Sequence, residues 1–219
     1  MSPWALFFPA AATVAQLLPP IAVVPRWRTT STVRRWVAVW CLVFFVADLL
    51  QIAFAARLGN NRWLISLLQP VEDAILLWTF SHWQVRPVMR IAMRVAIPLV
   101  IATYVGIGIA LGEEATFQNF SGPFRALLLM SFAAYTLVAN IAKAPEQVAS
   151  KDWLWTTLGV LLYFGLLVAT DPVISAMGPD QRDAMMRVYS VRAAGDVFAF
   201  ILIWRGMRCP LPTSSSGST

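Results

Sequence analysis

Seven mostly apolar stretches, each close to the length that crosses a lipid bilayer, leave this chain few ways to fold. They are Trp4–Val24, Trp36–Ala56, Trp63–Trp83, Ile91–Leu111, Pro123–Ala142, Trp153–Thr170 and Ala184–Trp204. A helix rises ~1.5 Å per residue, so about 20 residues span a hydrocarbon core of about 30 Å. Apolar residues make up 58% of the chain and charged ones 13%, against about 25% charged in an average soluble domain. A soluble fold has too little interior to hide that much apolar surface, so the bilayer is the expected solvent. The expected fold is all-α, a seven-transmembrane-helix bundle over residues 1–209 followed by a short polar tail, 210–219. Pro9 and Pro19-Pro20 should interrupt the first stretch. No charged n-region precedes it, so it reads as a span and not as a signal peptide. No internal repeat is evident.

Orientation follows from Lys and Arg near the span ends. One side collects Arg26, Arg28, Arg34, Arg35, Arg86, Arg90, Arg94, Lys143, Lys151, Arg205 and Arg208. The other has Arg57, Arg62, Arg125, Arg182 and Arg187, together with Glu113, Glu114, Asp171, Asp180 and Asp183. This bias predicts an outer N-terminus and a cytoplasmic C-terminus. The net charge of +6 is then a topology signal and a contact for anionic lipid head groups. The arginines flank spans and form no patch interleaved with aromatics, which argues against nucleic-acid binding. Trp36, Trp63, Trp83, Trp153, Trp155 and Trp204 lie near span ends, as an interfacial aromatic belt requires. Cys41 and Cys209 fall on the cytoplasmic side, where a disulfide is not expected. The Arg- and Ala-rich composition points to a bacterial cytoplasmic (inner) membrane.

Charge inside the spans carries the functional information. Glu72 and Asp73 occupy adjacent positions in the middle of the third stretch. A carboxylate at that depth costs roughly 2.5–3.5 kcal/mol on insertion scales unless it is paired, protonated or wetted. Counting the helical rise from each span end puts Asp48 about 18 Å, Glu72 and Asp73 about 14 Å, Arg192 about 14 Å and Asp196 about 20 Å into the membrane. Helical spacing groups Asp48 with Gln51, Gln69 with Glu72 and Asp73, and Tyr189 with Arg192 and Asp196. Four carboxyls against the single Arg192 would leave the midplane strongly negative. Such an imbalance is either a network of protonated acids or a site for an ion, a proton or a ligand. These eight residues are the ligand- or ion-binding candidates.

Other chemistries fit less well. His82 is the only histidine; it reads as an interfacial polar residue, with ligation of a metal or a pigment magnesium as the alternative. One histidine and two cysteines do not make a three-ligand zinc site from His and Cys. A retinal Schiff base needs a lysine in the last span, and the only lysines are Lys143 and Lys151. Ser131, Ser121 and Ser175 have no histidine placed to activate them. The run Asn60-Asn61-Arg62-Trp63 leading to Gln69-Pro70-Val71-Glu72 is similar to a pattern in bacterial seven-span proteins, in which a polar turn enters a helix with a Pro-x-Glu step. That resemblance covers about one span and implies no activity. The expected function is therefore non-enzymatic: an accessory subunit or receptor-like module of a larger membrane assembly, energy-transducing or photosynthetic among the options. Other membrane subunits are its expected partners. A proton- or cation-coupled small-molecule carrier is the first alternative, and an intramembrane lipid hydrolase using the same acids is the second.

Overall fold

In the computed structural model, the described residues are 3–58, 62–111, 121–143, 148–177 and 179–210. Asn60, Asn61, Glu113, Glu114 and the tail beyond Pro210 lie outside them, as does the side chain of Trp63. The described residues are all-α: α1 Pro3–Ala15, α2 Leu18–Val23, α3 Thr32–Leu58, α4 Arg62–His82, α5 Pro87–Leu111, α6 Ser121–Lys143, α7 Asp152–Ala176 and α8 Arg182–Arg208, with single 3-10 turns between some of them. Five stretches are long and apolar enough to cross a membrane: Phe7–Arg26, Thr32–Phe54, Pro87–Ile107, Gly122–Lys143 and Asp152–Ala176. The helices outside that set, α4 and α8, carry Gln69, Glu72, Asp73, Tyr189, Arg192 and Asp196.

The helix ends differ from expectation at two places that matter. The first stretch does not break at Pro9, which lies inside α1. It breaks at Gln16 and Leu17, where the Leu17 N–H turns back to the Val14 carbonyl at 3.0 Å. Pro19 and Pro20 lack an N–H, and their rings crowd the carbonyls of Ala15 and Gln16 four residues earlier, so the break falls one turn before them. The same prolines then sit in the first turn of α2, where a missing N–H is harmless. The second difference is α7, which runs on through Pro172 to Ala176. The expected outer loop from Asp171 is therefore helix, and Asp171 becomes an intrahelical residue.

Seven elements close a ring: α1 and α2 against α8 and α3, then α4, α6, α7 and back to α8. Helix α5 lies outside the ring, against α4 and the edge of α6. The most intimate pair is α7 with α8. A Cβ at Gly159 would stand 2.6 Å from the Ala199 carbonyl oxygen, and one at Gly206 would stand 2.7 Å from Thr156 Oγ1. These glycines let two backbones approach where lipid offers no hydrophobic drive to hold helices together.

At the end of the bundle where the chain terminates, Arg34 is buried and ties three elements. Its Nε donates to Asp152 Oδ2 at 2.9 Å, and its NH1 donates to the Cys209 carbonyl at 2.7 Å. At the same end, the Arg205 and Arg208 guanidiniums lie 3.9 Å and 4.9 Å from the ring centres of Trp155 and Trp204. Both cysteines are free, and Cys41 is buried. Partial burial raises the Cys209 thiol above its ordinary value.

Gly159→Ala should lower the unfolding free energy in detergent by about 1–3 kcal/mol, the usual cost of overpacking. Gly106→Ala is the control, since a Cβ there meets nothing within 4 Å. Equal melting midpoints for the two variants would refute the close α7–α8 contact.

Candidate functional site

Each ring helix buries one stripe, and the character of that stripe changes along its length. On α3 it reads Val37, Cys41, Phe44, Asp48, Gln51; on α4 it reads Phe80, Leu76, Glu72, Gln69. On α6 it reads Asn140, Thr136, Ala133, Leu129, Arg125, and on α7 it reads Val160, Tyr163, Leu167, Asp171. On α8 it reads Met207, Ile203, Phe200, Asp196, Arg192, Tyr189. The apolar halves meet as the core around Trp40, Phe80, Phe164 and Phe200. The polar halves meet around a cavity of about 400 Å³. It lies in the half of the bundle where α3 and α7 end and α4, α6 and α8 begin, and its wall reaches Gly122 at the start of α6.

Beneath the cavity the rings of Phe44, Tyr163 and Phe200 form a floor. Phe44 stands edge-on to Tyr163 with centroids 5.3 Å apart, and Phe200 lies 6.2 Å from Phe44 and 6.0 Å from Tyr163. Trp40 backs this floor at 5.8 Å from Phe44 and 6.3 Å from Phe200.

Of the sequence candidates, Asp48, Gln51, Gln69, Glu72, Tyr189, Arg192 and Asp196 all line this cavity. Asp73 lies just behind the wall, 1% exposed. His82 does not belong to it. Its Nδ1 is 2.8 Å from the Trp78 carbonyl, near the opposite end of α4. Among the described residues no three His, Cys, Asp or Glu converge to hold a metal ion.

The charge pairing corrects the sequence reading in which Arg192 was the sole cation at this depth. Arg125, counted there among the outer charges, is 2% exposed. Its Nε donates to both oxygens of Asp73, at 2.6 Å and 2.8 Å, and its NH2 donates to Glu72 Oε2 at 3.2 Å. The guanidinium also lies 5.6 Å from the Phe164 ring centre. Arg192 donates to Asp171 Oδ1 at 2.7 Å and stands only at 4.0 Å from Asp196, its expected partner on the same stripe. The extension of α7 brings in Asp171, which explains the change of partner.

Asp48 has no cation within ion-pair distance among the described residues. It accepts from Gln16 Nε2 at 2.6 Å and from Thr13 Oγ1 at 3.4 Å. Gln16 sits at the α1–α2 break, so the interruption of the first apolar stretch delivers an amide to the Asp48 carboxylate. Gln69 accepts from the Tyr104 hydroxyl at 2.5 Å, which ties α5 to the N-terminal half of α4.

Sequence reasoning missed Thr13, Gln16, Arg125, Tyr163 and Asp171. For Arg125 a signal existed: Arg125, Leu129, Ala133, Thr136 and Asn140 follow one helical face, so the arginine opens a buried stripe. Ser131 and Ser175 donate to the Leu127 and Pro172 carbonyls, at 2.8 Å and 3.0 Å, and neither lines the cavity.

No protein family, curated protein or solved structure matches the chain. The functional reading therefore comes from the geometry of the cavity.

Arg125→Ala should destabilise the protein in detergent by about 3–5 kcal/mol, because it strands two buried carboxylates. Replacing all three charges, as Arg125→Met with Glu72→Gln and Asp73→Asn, should recover most of that loss. A melting midpoint unmoved by Arg125→Ala would show that the triad is not a structural clamp.

Proposed function

We propose that this chain is a non-enzymatic integral membrane protein of seven spans that holds a small polar ligand within its bundle, as a receptor-like module of a larger membrane assembly. The observation that carries this reading is the cavity: polar side chains from six helices surround it, and aromatic rings close it on one side. Its volume of about 400 Å³ falls within the range of small-molecule sites, about 300–1,000 Å³. A cluster serving only to lock helices together would be expected to close over its charges.

The seven-span count rests on the outward faces of α4 and α8. Leu67 and Val71 are exposed on α4, and Val191, Phe198 and Ile201 on α8. Apolar residues outside and polar ones inside are what a bilayer demands of a helix with midplane charges. The Lys and Arg bias supports an N-terminus outside and a C-terminus in the cytoplasm, within a bacterial cytoplasmic membrane. The cavity then faces the outside.

A second reading, a proton- or cation-coupled carrier, is favoured by the break at Gln16 and Leu17. Transporters commonly build their sites from discontinuous helices at the bilayer midplane, and Gln16 is a wall residue of this cavity. The carrier reading requires that the aromatic floor open toward the cytoplasm.

Thiol labelling tests both orientation and access. In a chain with Cys41→Ala and Cys209→Ser, Gln51→Cys should react with a membrane-impermeant maleimide added to intact cells. Leu76→Cys, in the dry half, should stay unlabelled. Reaction of Gln51→Cys only in inverted vesicles would reverse the topology, and no reaction in either would remove the open cavity.

A further inference from the structure

Five carboxyls surround the cavity against two guanidiniums; three are held in close ion pairs and two are not. Arg125 holds Asp73 and Glu72, and Arg192 holds Asp171. Asp48 has only an amide and a hydroxyl as partners, and Asp196 has Arg192 no nearer than 4.0 Å. Both line the cavity.

Two fully buried side-chain atoms of the wall have no partner among the described residues, and both are acceptors. Gln16 is 3% exposed, and its Nε2 is committed to Asp48, so its Oε1 is an acceptor with no donor. Asp196 Oδ1 is likewise a buried acceptor without a donor. No donor atom of the wall is left in that state; the unmatched donors, on Trp40, Trp78 and Thr156, lie elsewhere. A ligand that completes this wall brings N–H groups and positive charge. The aromatic floor offers ring faces, which attract a cation and also accept an apolar body. The absence of a three-ligand metal cluster among the described residues argues for an organic cation over a chelated metal.

We infer that the cavity binds a small organic ammonium ion, its nitrogen between Asp48 and Asp196 near Gln16 and its apolar part on the Phe44–Tyr163–Phe200 floor. This inference rests on the ligand-binding reading of the cavity and adds the chemical class of the ligand.

The test is calorimetric titration of the purified full chain in mild detergent with three probes of matched shape: 2-phenylethylammonium, 2-phenylethanol and 3-phenylpropanoate. The ammonium should bind saturably, one per chain, and at least tenfold more tightly than the alcohol or the carboxylate. Asp48→Asn and Asp196→Asn should each weaken it at least tenfold, with unchanged gel-filtration profiles. If either variant fails to fold, the three-probe comparison on the unaltered protein still decides. Equal binding of all three probes, or preference for the carboxylate, overturns the ammonium assignment while leaving a ligand cavity in place. Binding of none overturns the assignment too, and the labelling of Gln51→Cys then tells whether the cavity reading falls with it.

Discussion

The pairing of Arg125 with Asp73 and Glu72 is the constraint on which this bundle depends. A bare carboxylate deep among helices is expensive, and two adjacent ones are worse. One guanidinium that reaches both, 2% exposed and forked across Asp73, offsets part of that penalty. The geometry is exacting because α4 and α6 touch over a limited stretch. Their spacing is set where the charges meet, and α7 follows α6 through Phe164, over whose ring the guanidinium lies. A buried ion triad of this kind gains little over a well-packed apolar core, yet removing one member is costly. Its contribution is to make one arrangement of the helices much better than its neighbours.

A second constraint acts along the helix axes. The stripes on α3, α4, α7 and α8 run from apolar at one end of the bundle to polar at the other, which gives a dry half and a polar half, although α6 also buries Thr136 and Asn140 in the dry half. In the dry half, side-chain hydroxyls are absorbed locally: Thr79 and Thr136 donate to carbonyls one turn back, and Gln84 reaches Thr136 at 2.8 Å. Glycine-mediated contact between α7 and α8 adds tight packing there. In the other half the helices stay far enough apart to leave a cavity. The aromatic layer of Phe44, Tyr163 and Phe200 is the boundary between the two.

Much of this was legible in the residues. Span length, helical class and the inward grouping of Gln69 with Glu72 and of Arg192 with Asp196 follow from a 3.6-residue period and the cost of charge in lipid. Less legible was what happens at span ends. Asp171 and Arg125 were assigned to an outer loop and a helix entry, because a charge beside a proline near the end of an apolar run reads as a boundary. Both in fact continue buried stripes, Asp171 four residues after Leu167 and Arg125 four before Leu129. Periodicity carried past the apolar run would have recovered them. Gln16 could not be recovered that way. Its role depends on a helix break meeting Asp48 on another helix, a contact that no local pattern encodes.

The imbalance that remains is the strongest argument that the polar half is more than scaffold. A cluster selected only for stability tends toward matched charges, since each unmatched buried group costs free energy with no return. Here two guanidiniums face three closely paired carboxyls, and Asp48 and Asp196, both in the cavity wall, add to the negative surplus. The fully buried unmatched atoms of the wall, on Gln16 and Asp196, are both acceptors. Proteins commonly depart from local stability rules at functional positions. In this chain the unpaired carboxyls and the unmatched acceptors coincide in space, above an aromatic floor, in the half of the bundle that is left open.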